Sequence, residues 1–208
     1  MPIRRHAERG RTCRADLDAV LDDGLVATLA TVLDGQPWVV PMLYARDGDR
    51  IVVHGSTGAG ALRHVAGGVP LALCVTHLDA IVVAYNTFNS SANYRSAVVT
   101  GIPERLDGAD KERALHLLSD RIIPGRTAEV VPTTAKEYAA TLALALPITA
   151  DNWTVKVRTG GPGAPDQPSD AWTGVVPLHT AYGPALPEPG TTAELPASVA
   201  GLLARSQA

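Results

Sequence analysis

Two Asp-Gly pairs, Asp34-Gly35 and Asp47-Gly48, fall between three strand-like runs in the first quarter of the chain. That spacing dictates an antiparallel β meander, because Asp-Gly suits the tight two-residue turns whose twist matches that of the strands they join. The runs are residues 25–33, 38–45 and 51–54, rich in Val, Ile, Leu and Thr and too short for helices. Pro41 stands in the middle of the second run. Its missing N–H removes a ladder bond, so that stretch is expected at a sheet edge or a bulge, where it can wall a cleft.

A short helix over Asp16–Asp23, with Leu17, Val20 and Leu21 on one face, precedes the meander. After it, Gly55-Ser56-Thr57-Gly58 opens a short helix, with Ser56 and Thr57 as candidate N-caps, that stops at Gly67-Gly68. Leu71–Val75 and Ala80–Tyr85 read as two strands around His77-Leu78-Asp79, with His77 a turn histidine bonded to backbone. Tyr94–Gly101 reads as another strand. Residues 109–122 carry Ala114, Leu115, Leu118 and Ile122 at helical spacing behind Asp107 or Asp110, and Pro124-Gly125 ends that helix. Thr134-x-x-Glu137 is a capping-box signature for a helix reaching about Leu142. Strands near Leu144–Ile148 and Trp153–Arg158, a loop at 160–170, an extended piece at Trp172–Leu178 and one helical turn near 197–204 complete the reading. The expectation is a mainly β protein with peripheral helices, an antiparallel barrel of six to seven strands. An arm and short helix occupy 1–24, the barrel 25–180 with a helical insertion at 107–143, and a Pro-rich tail 181–208, with no second-domain boundary.

Composition narrows the function classes. A net charge of -3 with 46% hydrophobic and 19% charged residues is that of a soluble globular chain. Arg4, Arg5, Arg9, Arg11 and Arg14 could form a nucleic-acid arm, but Asp16, Asp18, Asp22 and Asp23 offset them, so no nucleic-acid partner is expected. No apolar run is long enough to span a membrane and none follows the early arginines, so the cytoplasm is the expected location. Cys13 and Cys74 form no disulfide or zinc pattern, and the six histidines never fall at metal-ligand spacing, so no metal centre is expected. No Walker loop, dinucleotide fingerprint or nucleophile elbow occurs.

Three constellations remain. Ser56 and Thr57 with Arg63 could seat a phosphate at the start of a helix, the alternative being an ordinary capped helix with a solvent-facing arginine. Arg95, inside a strand, needs an acidic partner or a bound anion, and an ion pair is the simpler account. Lys156 and Arg158 share one face of a strand, which a solvated exterior would explain.

The order of His54-Gly55-Ser56, Cys74-Val75-Thr76-His77-Leu78-Asp79, Asn93-Tyr94-Arg95-Ser96, Pro124-Gly125-Arg126, Thr134-Ala135-Lys136-Glu137, Lys156-Val157-Arg158-Thr159-Gly160 and Trp172-Thr173-Gly174-Val175-Val176-Pro177-Leu178 resembles the pyridoxamine 5′-phosphate oxidase-like, FMN-binding split-barrel proteins. The branch most similar holds flavin-nucleotide-binding and nitroimidazole-resistance-type members, over roughly residues 10 to 180. The resemblance implies an FMN-binding split β-barrel homodimer with FMN at the subunit interface. It places the flavin ring along Pro41, Met42, Leu43 and Tyr44, and the phosphate at Ser56, Thr57 and Arg63. It sets His54 near flavin and substrate as the catalytic residue. It assigns Tyr94, Arg95 and Ser96 to the interface, with Lys156 and Trp172 reaching the flavin from the partner chain.

The implied activity is that of an FMN-dependent oxidoreductase on a small organic substrate. A non-catalytic flavin- or haem-binding protein and a deazaflavin-dependent reductase are the alternatives. The Arg-x-Glu-x-Trp signature of the true vitamin-phosphate oxidases is absent, which disfavours oxidation of pyridoxine phosphate. Paired histidines common in the similar branch are replaced here by Asn89-Ser90-Ser91.

Overall fold

The first Asp-Gly pair makes the turn its sequence demands. Strands β2 (Val26–Leu33) and β3 (Gln36–Asp47) are joined by Asp34 and Gly35 alone, both at positive φ (50° and 75°). At the second pair the turn shifts by one residue. Asp47 stays in β3 and pairs with Arg50 of β4 (Arg50–Ser56), leaving Gly48-Asp49 as the loop with Gly48 at φ 60°, the residue order of a type II′ turn. The computed structural model describes residue 3 and residues 5–205. Arg4 and the outermost residues of the expected arm and tail lie outside that range.

The remaining elements are β1 (Gly10–Arg11), α1 (Arg14–Asp23), α2 (Gly60–Ala66), β5 (Leu71–Val83), β6 (Ser91–Gly101), β7 (Glu104–Arg105), α3 (Gly108–Ile122), α4 (Ala135–Ala140), β8 (Thr141–Pro147), β9 (Trp153–Arg158), β10 (Gly174–Pro177) and α5 (Ala197–Ala204). The protein is mainly antiparallel β with few helices, as expected. Seven strands are long; β1, β7 and β10 are additions of two to four residues that raise the count among the described residues to ten. Strands of that length carry no periodicity and exist only through their partners. The Thr134–Glu137 capping box forms in full, and α4 ends at Ala140 because β8 begins there, two residues before the expected stop.

The chain packs as two compact units, each assembled from three stretches. The first comprises residues 1–42, 70–101 and 148–179. Its sheet runs β1-β9-β6-β5-β2, all antiparallel, with β10 on the same edge of β5 as β2. The expected pair of strands around His77-Leu78-Asp79 is one thirteen-residue strand, β5. The pairing with β6 skips Asp79, between Leu78↔Tyr94 and Ala80↔Asn93. This β-bulge inverts the alternation: Leu71, Leu73 and Val75 are buried before it, and Ala80 and Val82 after it. The bulge also divides the edge, since β2 pairs with Ala72–Cys74 and β10 with Ala80–Val83. Helix α1 buries Leu17, Val20 and Leu21 within this unit.

The second unit comprises residues 43–69, 102–147 and 180–208, with the end of β3 followed by β4, β8 and β7. Five consecutive residues of β8, Leu142–Leu146, are buried. The alternation of Leu and Ala explains how: Ala143 and Ala145 lie with Ala45 and Val52 in one cluster against Ala114 and Leu118 of α3. Small side chains on that face let the helix lie close to the strands. An ion-pair network ties the β3–β4 turn to α3. Arg50 makes a bidentate pair with Asp110 (2.8 and 2.6 Å) and also meets Asp47, while Arg113 bonds both carboxylates. The two guanidinium groups hold the Asp110 carboxyl well below the usual carboxylate range. Glu129 accepts from Ser198 N–H (2.9 Å) and from the Ser198 hydroxyl, satisfying an orphan donor in the first turn of α5 and anchoring the tail.

Candidate functional site

In the second unit, β4 ends at the His54-Gly55-Ser56 run. Gly55 faces α2 so closely that a Cβ there would lie 2.5 Å from a methyl carbon of the buried Leu62, whose side chain would have to shift to admit it. His54, paired in register with Ala143, is half-buried. Its Nδ1 is buried without a hydrogen-bond partner. Burial pushes its imidazolium pKa down, so the ring is neutral at pH 7 and has one polar atom unsatisfied.

The turn after β4 is self-bonded. Gly58 N–H donates to Ser56 Oγ (3.0 Å), Ala59 N–H to the Ser56 carbonyl (2.9 Å) and Thr57 N–H to the Ala140 carbonyl (2.9 Å). Helix α2 therefore starts at Gly60 with Ala59 as N-cap, instead of at the expected Ser56 or Thr57, because the serine hydroxyl is committed inside the turn. The helical phase relating Ser56 to Arg63 is lost with it. Ser56, Thr57 and Arg63 are exposed, and Arg63 makes no ion pair among the described residues. On β3, the β4 pairing covers Tyr44–Asp47. Pro41 and Leu43 are exposed, Met42 is half-buried, and Tyr44 is 1% exposed and belongs to the core.

In the first unit, Arg95 is an ion-pairing residue. Its Nε bonds both oxygens of Asp79 (3.2 and 3.1 Å), its Nη2 bonds Asp79 Oδ1 (2.9 Å), and its Nη1 meets Asp23. His77 lies in a strand, not a turn, and its Nε2–H donates to the Val20 carbonyl of α1 (2.9 Å). Helix α1 ends in Asp22 and Asp23, the wrong charge for its C-terminus, and Arg95 and His77 from the sheet compensate there. Tyr94 and Ser96 are half-buried on the opposite alternation of β6, where Ser96 pairs with Lys156 and Tyr94 with Arg158. The Trp172 indole lies over Gly174, 2.7 Å from where a Cβ would sit, and remains 66% exposed.

The same unit holds a cavity of about 710 Å³ that sequence reasoning did not find. Arg5, Arg9, Lys156 and Arg158 line it, with Tyr85, Phe88 and Asp166. The arginines of the arm and the Lys156/Arg158 pair were each visible as charge, but 150 residues separate them. The β1–β9 ladder, Gly10 opposite Lys156, brings them together.

The chain is similar to a FAD and haem binding protein from Mycobacterium smegmatis, with 47% identity and a TM-score of 0.90 over 93% of this chain and 97% of that one. It is similar to the flavocytochrome Anf3 from Azotobacter vinelandii, with 28% identity and a TM-score of 0.89 over 96% and 94% of the two chains. The fold recurs at 17% identity and a TM-score of 0.59 in a putative 5-nitroimidazole antibiotic resistance protein from Bacteroides thetaiotaomicron, over 71% of this chain and 86% of that one. No curated protein sequence matches it. Residues 13–153 match the family model described as pyridoxamine 5′-phosphate oxidase. With that match over more than half its length, the chain belongs to the pyridoxamine 5′-phosphate oxidase family.

Proposed function

We propose that the chain is a flavin-dependent oxidoreductase, working as a homodimer on a small organic substrate. The observation that carries this reading is the 47% identity, along nearly the whole chain, to a protein described as binding FAD and haem. The second unit fits such a ligand, because the orphaned Nδ1 of His54 lacks a polar partner that a bound molecule would provide. A bound flavin supplies hydride and electron transfer. The chain's residues bind and orient it. Thr57 offers a hydroxyl, Ser56 the O–H proton that its oxygen's turn bond leaves to donate, and Arg63 a cation without an ion pair among the described residues, for a 5′-phosphate, which suits FMN or the equivalent half of FAD. Leu43, exposed on β3 beyond the β4 pairing, offers an apolar side chain to the ring. Neutral His54 offers a hydrogen bond to flavin or substrate, not a positive charge.

Tyr94 and Ser96 are the residues this reading gives to the dimer interface and Trp172 the one that reaches the flavin from the partner chain, whereas Arg95 is committed to Asp79 and Asp23 and Lys156 lines the first unit's cavity. Val26, Val32 and Val39 stand more than half exposed on the β2–β3 hairpin, an apolar surface suited to a second copy. Cys13 and Cys74 are free thiols, and among the described residues no helix is long and apolar enough to cross a membrane; a cytoplasmic site of action fits the thiols.

A second reading, a carrier of flavin or haem without turnover, is supported by the same relative, whose description names both ligands and no activity. The absorption spectrum of the purified protein tests both. A flavin band that bleaches anaerobically with a nicotinamide reductant and returns with an organic acceptor is the expected result. Heat release followed by chromatography distinguishes FMN from FAD. A Soret band, or a flavin that no donor reduces, favours the carrier. Protein that stays colourless after incubation with FMN, FAD and haemin overturns both readings.

A further inference from the structure

We infer that the cationic cavity of the first unit is a binding site for the phosphates of a nucleotide, with Lys156, Arg158, Arg5 and Arg9 as the anion seat and Phe88 as the plane on which the base stacks. The inference rests on that unit's own residues and does not require the flavin reading.

Charge is the first support. The molecule carries a net charge of -3, yet Arg5, Arg9, Lys156 and Arg158 line this cavity with one carboxylate, and counting Glu8, which meets Arg9 at 3.8 Å from outside the lining, the local net is still +2. Like charges lining one concavity repel one another, and a bound polyanion removes that cost. The lining carboxylate, Asp166, accepts a hydrogen bond from Tyr85 OH (3.2 Å) and is exposed. Among the described residues it makes no ion pair with the cavity's cations.

Two of the cations, Lys156 and Arg158, are held in place by neutral groups, which is the second support. Lys156 Nζ donates to the Arg5 carbonyl (3.3 Å), and Arg158 Nη1 donates to the Ala92 carbonyl (3.1 Å) and to Asn93 Oδ1 (2.9 Å). Asn93 is in turn buried and bonded to the Gly160 carbonyl (2.9 Å). These bonds orient the head groups without neutralising them. A guanidinium and an ammonium preset in this way bind phosphate oxygens with little loss of side-chain entropy.

The third support is aromatic. Phe88, the only phenylalanine in the chain, is 93% exposed at the rim, beside the half-buried Tyr85. A large apolar ring held in water next to a cation cluster is unfavourable unless a flat partner covers it. A nucleotide combines that flat base with multiple negative charges, and the cavity volume suits a ligand of that size.

Calorimetric titration of the full-length protein, stripped of ligand, with ADP, pyrophosphate and adenosine tests the site. ADP and pyrophosphate are expected to bind, with adenosine at least about tenfold weaker. Lys156→Gln should weaken ADP and pyrophosphate alike by about ten- to a hundredfold, and Arg9→Gln should do the same if the lysine variant fails to fold. Phe88→Ala should weaken ADP and leave pyrophosphate unchanged. Repeating the ADP titration on protein loaded with FAD or with FMN identifies the source of the phosphates. Exclusion by FAD but not FMN means that the adenylate of the flavin itself occupies the site; binding beside both means a separate nucleotide. Folded protein that binds neither ADP nor pyrophosphate overturns the inference, whether or not it binds flavin. So does an equal loss in Arg105→Gln, a charge removed from outside the cavity.

Discussion

Arg95 shows how a cation is kept on the inward alternation of a sheet, because two carboxylates from different elements converge on it. Its side chain is 31% exposed, so the arrangement is weaker than a fully buried triad and stronger than a surface pair. Arg95→Met is expected to lower unfolding stability by about 1–2 kcal/mol in urea denaturation. Adding Asp79→Asn to that variant should cost less than the two single changes combined, since each removes the same bond. The need of Arg95 for an acidic partner was legible from its place in an apolar strand. The identity of the partners was not: Asp23 is 72 residues away, and Asp79 comes within reach through a bulge that no pattern announces. His54 was likewise legible as a candidate by resemblance, whereas its unsatisfied Nδ1 is a property of packing alone. The cavity cations lay in plain view as charges but read as solvated, because nothing local says that the arm returns to β9.

At the scale of elements, β8 depends on alternating Leu with Ala so that α3 can settle on one face. Ala143→Leu puts three more carbons against Ala114 and Leu118 and should cost about 1–3 kcal/mol through overpacking, read as a lowered urea midpoint. The hairpins, both long helices and the capping box were legible because each rests on residues adjacent in sequence. The start of α2 was misplaced because Ser56 had two competing uses, cap or turn, and the turn took its hydroxyl. Strand β5 was read as two strands because His77-Leu78-Asp79 interrupts the apolar run; a bulge preserves pairing through such an interruption at the cost of one unpaired residue.

At the scale of the whole chain, the Glu129 carboxylate anchors helix α5 of the C-terminal tail. The Ser198 hydroxyl and amide hold the Glu129 pKa below its ordinary value, with Arg126 adding to the effect. A depressed carboxylate pKa contributes stability that is complete above the unfolded value of about 4.3 and disappears as pH falls through the lower folded value. Limited proteolysis should therefore find the tail protected at neutral pH and cleaved in acid. Glu129→Gln should expose it to cleavage already at pH 7, with the β core still resistant. Neither the split of the chain into two units nor the partners of the tail could be read in advance, because each unit gathers three separated stretches and no linker composition marks their edges.

The bulge at Asp79 also bears on how the chain reaches this structure. A hairpin closing from the turn between β5 and β6 first forms the pairs Val82↔Ser91, Ile81↔Ala92 and Ala80↔Asn93, and must then skip one residue before the eight pairs from Leu78 to Leu71 can form. Zippering without the skip costs no early contact, yet it turns Leu73 and Val75 outward, so the mistake is discovered only when a core face must be buried. Arg95 adds a polar condition to the same register. Its bonds to Asp79 and Asp23 need both the skip and a docked α1, so they are available to the native pairing alone. The residue left out of the ladder is thus the one whose carboxylate ties the hairpin's two strands together through their side chains.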